Sequence, residues 1–166
     1  MRGEQPPEPS IDASTFRFAV VVSRFNADVT ASLRDAAVKA LGEAGAAIAD
    51  IEVFDVPGAY EIPQTARAAA ETGRFDAIVC LGCVIRGETP HFDYISSAVA
   101  HGIMSAAGDT GVPMAFGVLT TDTLQQAAAR SGHGPDNKGC EAAHAAIEMA
   151  ALYRALGAVR PSGLDA

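Results

Sequence analysis

With 166 residues, of which 49% are hydrophobic and 19% charged, the chain has the size of one domain with one core and lies well outside the disordered class. Twenty Asp plus Glu against twelve Lys plus Arg leave a net charge of -8, which excludes non-specific attraction to nucleic acid or to an anionic membrane. Any anionic ligand must therefore be caught by a few local basic groups.

Residues 1–13, with three prolines and no hydrophobic periodicity, read as a flexible N-terminal arm ahead of a single domain over residues 14–160. The first ten residues contain no apolar stretch of signal-peptide length, and no later segment reaches the roughly 18 unbroken apolar residues of a membrane span; a cytoplasmic protein is expected. Phe18 to Val22 is a continuous apolar, β-branched run, the pattern of a strand buried on both faces, and it ends at Ser23-Arg24-Phe25-Asn26. From Asp28 to Ala44, Val29, Leu33, Ala37 and Leu41 recur at helical spacing, and Gly45 supplies a stop.

The same grammar repeats. Ile48 to Val56 reads as a second strand, followed by a helix that starts at Pro63 and stops near Gly73. Asp76 to Ile85 reads as a third strand, and Ile95, Val99 and Ile103 mark one face of a helix starting near His91. Pro113 to Leu119 gives a fourth strand, Thr120 to Arg130 a short helix, and Lys138 to Leu156 a long final one after a Gly-rich turn. Strands that alternate with helices through short connections specify an α/β fold: a three-layer sandwich with a four-stranded parallel sheet and helices on both faces.

Three cysteines are odd in number and too sparse for a disulfide framework. Cys80 and Cys83 form a C-x-x-C, but inside an apolar strand their odd spacing sends them to opposite faces, so no metal or redox centre is expected. His101, His133 and His144 have no partner at metal-ligand spacing and read as structural or surface residues.

In open parallel sheets the ligand crevice lies beyond the carboxyl ends of the strands, where loops converge and helix N-termini present unpaired N–H groups. That rule selects Ser23–Asn26, Pro57–Glu61, Arg86–His91 and Leu119–Thr123. In the third segment Gly87 permits close backbone approach, Thr89 adds a hydroxyl, and His91 brings the side chain best matched to proton transfer near neutral pH. Phe25 offers a ring to stack on, with the Asn26 amide beside it, and Glu61 can accept hydroxyl hydrogen bonds. Arg130 and Lys138 bracket the Gly-rich turn, and Arg130 suits bidentate phosphate binding. Taken alone, these residues also admit an aldolase-like enzyme using Lys138 as Schiff-base nucleophile, or a flavin- or phosphate-binding module.

Together the segments resemble the lumazine synthase family of riboflavin biosynthesis. The resemblance is carried by Arg24-Phe25-Asn26, Pro57-Gly58-Ala59-Tyr60-Glu61-Ile62-Pro63, the run from Gly82 through Arg86-Gly87-Glu88-Thr89-Pro90-His91 to Tyr94, Gly117–Thr121, and Asn137-Lys138-Gly139, in family order. It implies a flavodoxin-like fold and the condensation of 5-amino-6-ribitylaminouracil with 3,4-dihydroxy-2-butanone 4-phosphate. The products are 6,7-dimethyl-8-ribityllumazine, phosphate and water, and neither cofactor nor metal is used.

By that resemblance Phe25 stacks on the pyrimidine, while Asn26, Ala59, Tyr60, Glu61 and the backbone of Cys83, Val84 and Ile85 hold the ring and ribityl chain. Glu88 and Thr89 contact phosphate, Arg130 pairs with it, and His91 moves protons. Phe116, Lys138 and Glu141 complete the pocket from a neighbouring subunit. The implied assembly is a homopentamer with its active site at the subunit interface, and the short turn Gly132–Asp136 leans towards a sixty-subunit shell. The N-terminal arm is expected to extend a neighbour's sheet.

Overall fold

Unbroken β-branched runs are stable only where both faces of their sheet are covered, and the chain meets that condition with two helical layers. The computed structural model describes residues 10–158. Its strands are β1 (Phe18–Ser23), β2 (Ile51–Val56), β3 (Ala77–Ile85) and β4 (Met114–Thr121), all parallel, in the order β2-β1-β3-β4. Its helices are α1 (Ala27–Glu43), α2 (Ile62–Glu71), α3 (His91–Thr110), α4 (Leu124–Arg130) and α5 (Lys138–Ala155).

Side-chain alternation divides the interior in two. Phe18, Val20 and Val22 of β1 join α1, α4 and α5 in one core, while Ala19 and Val21 join α2 and α3 in the other. Cys83 falls in the first core and Cys80 in the second, as their odd spacing requires. Burial pushes the Cys80 thiol up to about 12 and the Cys83 thiol up to about 11, so both are protonated near neutral pH.

Helix packing on the first face is close enough to exclude a side chain. A Cβ on Gly139, in the first turn of α5, would stand 2.0 Å from the Leu33 carbonyl oxygen of α1. On the second face Gly102 of α3 lies under Pro63 of α2, where a Cβ would meet the proline ring at 2.8 Å.

Three element boundaries differ from the sequence reading by more than one residue. β2 starts at Ile51, not Ile48, because Ile48–Asp50 forms a 3-10 turn in which the Asp50 N–H donates to Ala47 O (2.9 Å). The Asp50 carboxylate accepts from Arg17 Nε (3.1 Å) and Ile48 points outward, so that stretch has no core face to bury. β4 continues through Thr121, and α4 starts at Leu124 rather than Thr120. The β-branched Thr120 and Thr121 pair with Val84 and Ile85, while the Thr123 hydroxyl caps the helix by accepting from Gln126 N–H.

Ile11 packs against the first core, and Ala13 is fully buried with its N–H donating to Ala44 O (2.8 Å), so packing reaches three residues into the expected arm. Residues 1–9 of that arm, and the expected domain end at residue 160, lie outside the described residues. Among the described residues no helix is long and apolar enough to cross a membrane.

Candidate active site

Hydrogen bonds outside the regular ladder lace the carboxyl ends of the four strands together. Arg24 N–H donates to Val56 O (2.8 Å), Asn26 Nδ2 to Cys83 O (2.9 Å) and Arg86 N–H to Thr121 O (2.9 Å), joining β1 to β2, β1 to β3 and β3 to β4. Asn26 also caps α1 in the left-handed region (φ 60°, ψ 52°), the one described non-glycine residue with positive φ. Asn tolerates that conformation better than most residues. The cost is borne where the amide bond to Cys83 holds the residue, and the abrupt turn leaves the Phe25 ring 71% exposed.

The neighbouring tips present the other expected groups. In the turn after β2, Glu61 Oε2 accepts from Gly58 N–H (2.9 Å), so the carboxylate organises its own loop; Ala59 is buried and Tyr60 exposed. At β3, Cys83 contributes its carbonyl to Asn26, while Val84 and Ile85 are half-buried. Beyond them Glu88, Thr89 and His91 are exposed, His91 opens α3, and its N–H donates to Thr89 Oγ1 (3.5 Å). His91 and Phe25 therefore stand at the ends of adjacent strands.

Beneath these tips lies a floor without a side chain. A Cβ on Gly82 would meet Ile62 Cδ1 at 2.9 Å and Ser23 Oγ at 3.1 Å. Ser23 Oγ is buried with no hydrogen-bond partner among the described residues.

A second group gathers on the open edge of β4. Phe116, Arg130, Lys138 and Glu141 line a shallow concavity of about 310 Å³ floored by Gly117–Thr120 and Ala142. The Phe116 ring is 49% exposed, Lys138 Nζ pairs with the Glu141 carboxylate, and Arg130 Nη1 donates to Gln126 O (2.9 Å). Arg130, expected beside Glu88 and Thr89 on phosphate, thus shares its surface with the three residues expected to serve a neighbour. A larger groove of about 1240 Å³, between α1 and the turn around Gly132–Pro135, contains none of the expected site residues.

The sequence reading overlooked the partners of Arg86, whose guanidinium bonds Asp122 and Asp93 and stacks on Phe92. The Asp122 hydrogen bond is the main reason that this guanidinium is held above its ordinary value. It also overlooked Asn137, whose carboxamide accepts from Gly139 N–H (2.8 Å) and donates to Gly132 O (2.9 Å), fixing the turn before α5. An Asn directly before a helix is a legible cap signal; the bond back to Gly132 is not. Among the described residues no group of three or more His, Cys, Asp or Glu side chains is arranged to hold a metal ion.

The family model for 6,7-dimethyl-8-ribityllumazine synthase matches residues 15–154. The chain is also 51% identical over 147 residues to the 6,7-dimethyl-8-ribityllumazine synthase of Syntrophus aciditrophicus (strain SB), covering 89% of this chain and 96% of that relative.

Proposed function

Because the chain belongs to the 6,7-dimethyl-8-ribityllumazine synthase family, we propose that it is an enzyme of riboflavin biosynthesis whose reaction runs in a cavity completed between subunits. It condenses 5-amino-6-ribitylaminouracil with 3,4-dihydroxy-2-butanone 4-phosphate, releasing 6,7-dimethyl-8-ribityllumazine, phosphate and water. The attacking amine belongs to the substrate, so the protein needs no nucleophile of its own. Its tasks are orientation, an anion clamp and a proton carrier.

Phe25 stacks on the pyrimidine, whose ring and ribityl chain are held by Asn26, Ala59, Tyr60, Glu61 and the backbone of Cys83 to Ile85. Thr89 and the loop backbone at Glu88 contact the phosphate; the Glu88 carboxylate turns away, since two anions in contact repel. His91, at the mouth of the same loop, passes protons between amine, carbonyl and departing water. Phe116, Lys138 and Glu141 come from the adjacent subunit, and we assign Arg130 to that side as well. No cofactor enters these steps.

One observation carries the shared-cavity reading: the expected residues fall into two separate sets, each with an exposed aromatic ring, one on the tips of β1 to β3 and one on the open edge of β4. Two half-sites on one chain meet when copies pack head to tail, and such packing closes into a ring when the rotation between copies divides a full turn. A cytoplasmic homopentamer with this geometry accounts for both, and the short turn at Gly132–Asp136 leans towards a sixty-subunit shell.

Mixing purified protein with both substrates and following lumazine fluorescence tests the reaction, while light scattering gives the assembly mass. Co-assembling His91→Ala with Arg130→Ala subunits, assayed at butanone phosphate well below the wild-type KM so that both parents are slow, tests the shared cavity. If half-sites come from different chains, an equal mixture regains about a quarter of wild-type activity. If they come from one chain, the mixture stays as slow as its parts.

A further inference from the structure

Arg86 stands where β3 gives way to the loop bearing Glu88, Thr89 and His91. Its backbone N–H donates to Thr121 O (2.9 Å), its Nε to Asp122 Oδ1 (2.7 Å), and its Nη1 to both carboxylate oxygens of Asp93 (3.3 and 3.4 Å). The guanidinium carbon lies 4.3 Å from the centroid of the buried Phe92 ring. Asp93 and Phe92 belong to the first turn of α3. One side chain therefore joins the start of the loop to its end and anchors both to the end of β4.

The connection continues across α4. The Asp122 N–H donates to Gln126 Oε1 (2.8 Å), and Gln126 O accepts from Arg130 Nη1 (2.9 Å). The loop bearing Thr89 and the Arg130 side chain, assigned above to a neighbour's cavity, thus hang from one bonded chain that passes through Arg86.

We infer that Arg86 is a positioning residue for the condensation: by bridging Asp93 and Asp122, its planar fork holds the β3–α3 loop so that Thr89 and His91 meet the phosphorylated ketone together. The inference rests on the roles assigned above to those two residues. Magnitudes argue for geometry over global stability. The three charged side chains are 45%, 61% and 63% exposed, and ion pairs with that much access to water add little to folding. A two-armed guanidinium nonetheless fixes direction in a way that an ammonium cannot. A displaced proton carrier lowers turnover even when the fold is intact.

Arg86→Gln, Arg86→Lys, Asp93→Asn and Asp122→Asn, compared in the assembled protein, test this. Arg86→Gln is expected to lower kcat about tenfold and raise KM for the butanone phosphate several-fold, with KM for the pyrimidine amine within about twofold of wild type. Arg86→Lys and the two Asn variants should each give part of that loss. Hydrogen exchange of amides 87–93 should quicken in Arg86→Gln, with β1 unchanged.

Unchanged exchange in that loop refutes the clamp whatever happens to turnover. Faster exchange with wild-type kinetics refutes the positioning role. A large loss in Arg86→Gln alone, with both Asn variants normal, would make Arg86 a direct phosphate ligand and overturn the proposal. Wild-type protein inert towards both substrates would overturn the functional reading, while the exchange measurement still decides the clamp.

Discussion

The strand-tip region and the β4 edge carry similar residues, yet they are built differently. The tips are laced: three hydrogen bonds join four strands, and a left-handed Asn26 turns the chain so that Phe25 stands clear of the core. The β4 edge is open: Phe116 stands on the strand itself, while Arg130, Lys138 and Glu141 arrive on two helices whose placement depends on packing beneath them. Local hydrogen bonds therefore set the geometry of one region, and close helix contact sets the other.

Gly139→Ala attacks the second region at its root and has the largest expected effect. The new methyl would sit 2.0 Å from Leu33 O, so α5 must lift from α1. We expect a loss of about 3 kcal/mol or more, a melting temperature lower by roughly 5–10 °C, and displacement of Lys138 and Glu141. A melt within a degree or two of wild type would show that α5 is not seated by this contact.

Single functional substitutions separate the regions next. His91→Ala should slow turnover by about 10- to 100-fold without abolishing it. Arg130→Ala should act chiefly on KM for the butanone phosphate. Steady-state kinetics with the two substrates varied separately would expose a role exchanged between them.

The third contrast uses pH. Both buried thiols have folded values raised above the ordinary 9.0, Cys80 to about 12 and Cys83, under the laced tip, to about 11. A raised acidic group favours the folded state fully below the unfolded value, and the advantage drains away as pH climbs towards the folded value. Stability should thus fall between pH 9 and 11, and Cys80→Ala should flatten that slope by about 1.4 kcal/mol per pH unit. Equal slopes in urea titrations of the two proteins would contradict the assignment.

The smallest effect concerns Asn26. Asn26→Gly relieves the left-handed backbone but removes the amide tie, whereas Asn26→Ala removes the tie and keeps the strain. The alanine variant should be about 1 kcal/mol less stable than the glycine variant, and both should lose activity. Denaturant midpoints in the reverse order would mean that the backbone is not under tension there.

Much of this was legible in the sequence because the signals were strong and local. The apolar runs of β1 and β3 could be nothing but buried strands, and the loops after them necessarily held Phe25 and His91. The start of β2 was misread because Ile48 resembles strand material, although it lies outside any core. The start of α4 was misread because threonines suit both a strand end and a cap. Which surface Arg130 joins could not be inferred from spacing, since that depends on β4 being an edge strand. The bonds from Arg86 to Asp93 and Asp122 span 7 and 36 residues and leave no periodic trace.

The bare backbone at Gly82 has a bearing on how this chain can drift. Position 82 abuts Ile62 and Ser23, so these three loci on separate elements occupy one volume and their mutations are not independent. A side chain added at 82 presses on the tip of Ile62 and on the Ser23 hydroxyl, so its cost depends on what stands at 62 and 23. Selection screens such a trio as a unit, and a library that randomises it one codon at a time would miss every viable combination that needs two simultaneous changes.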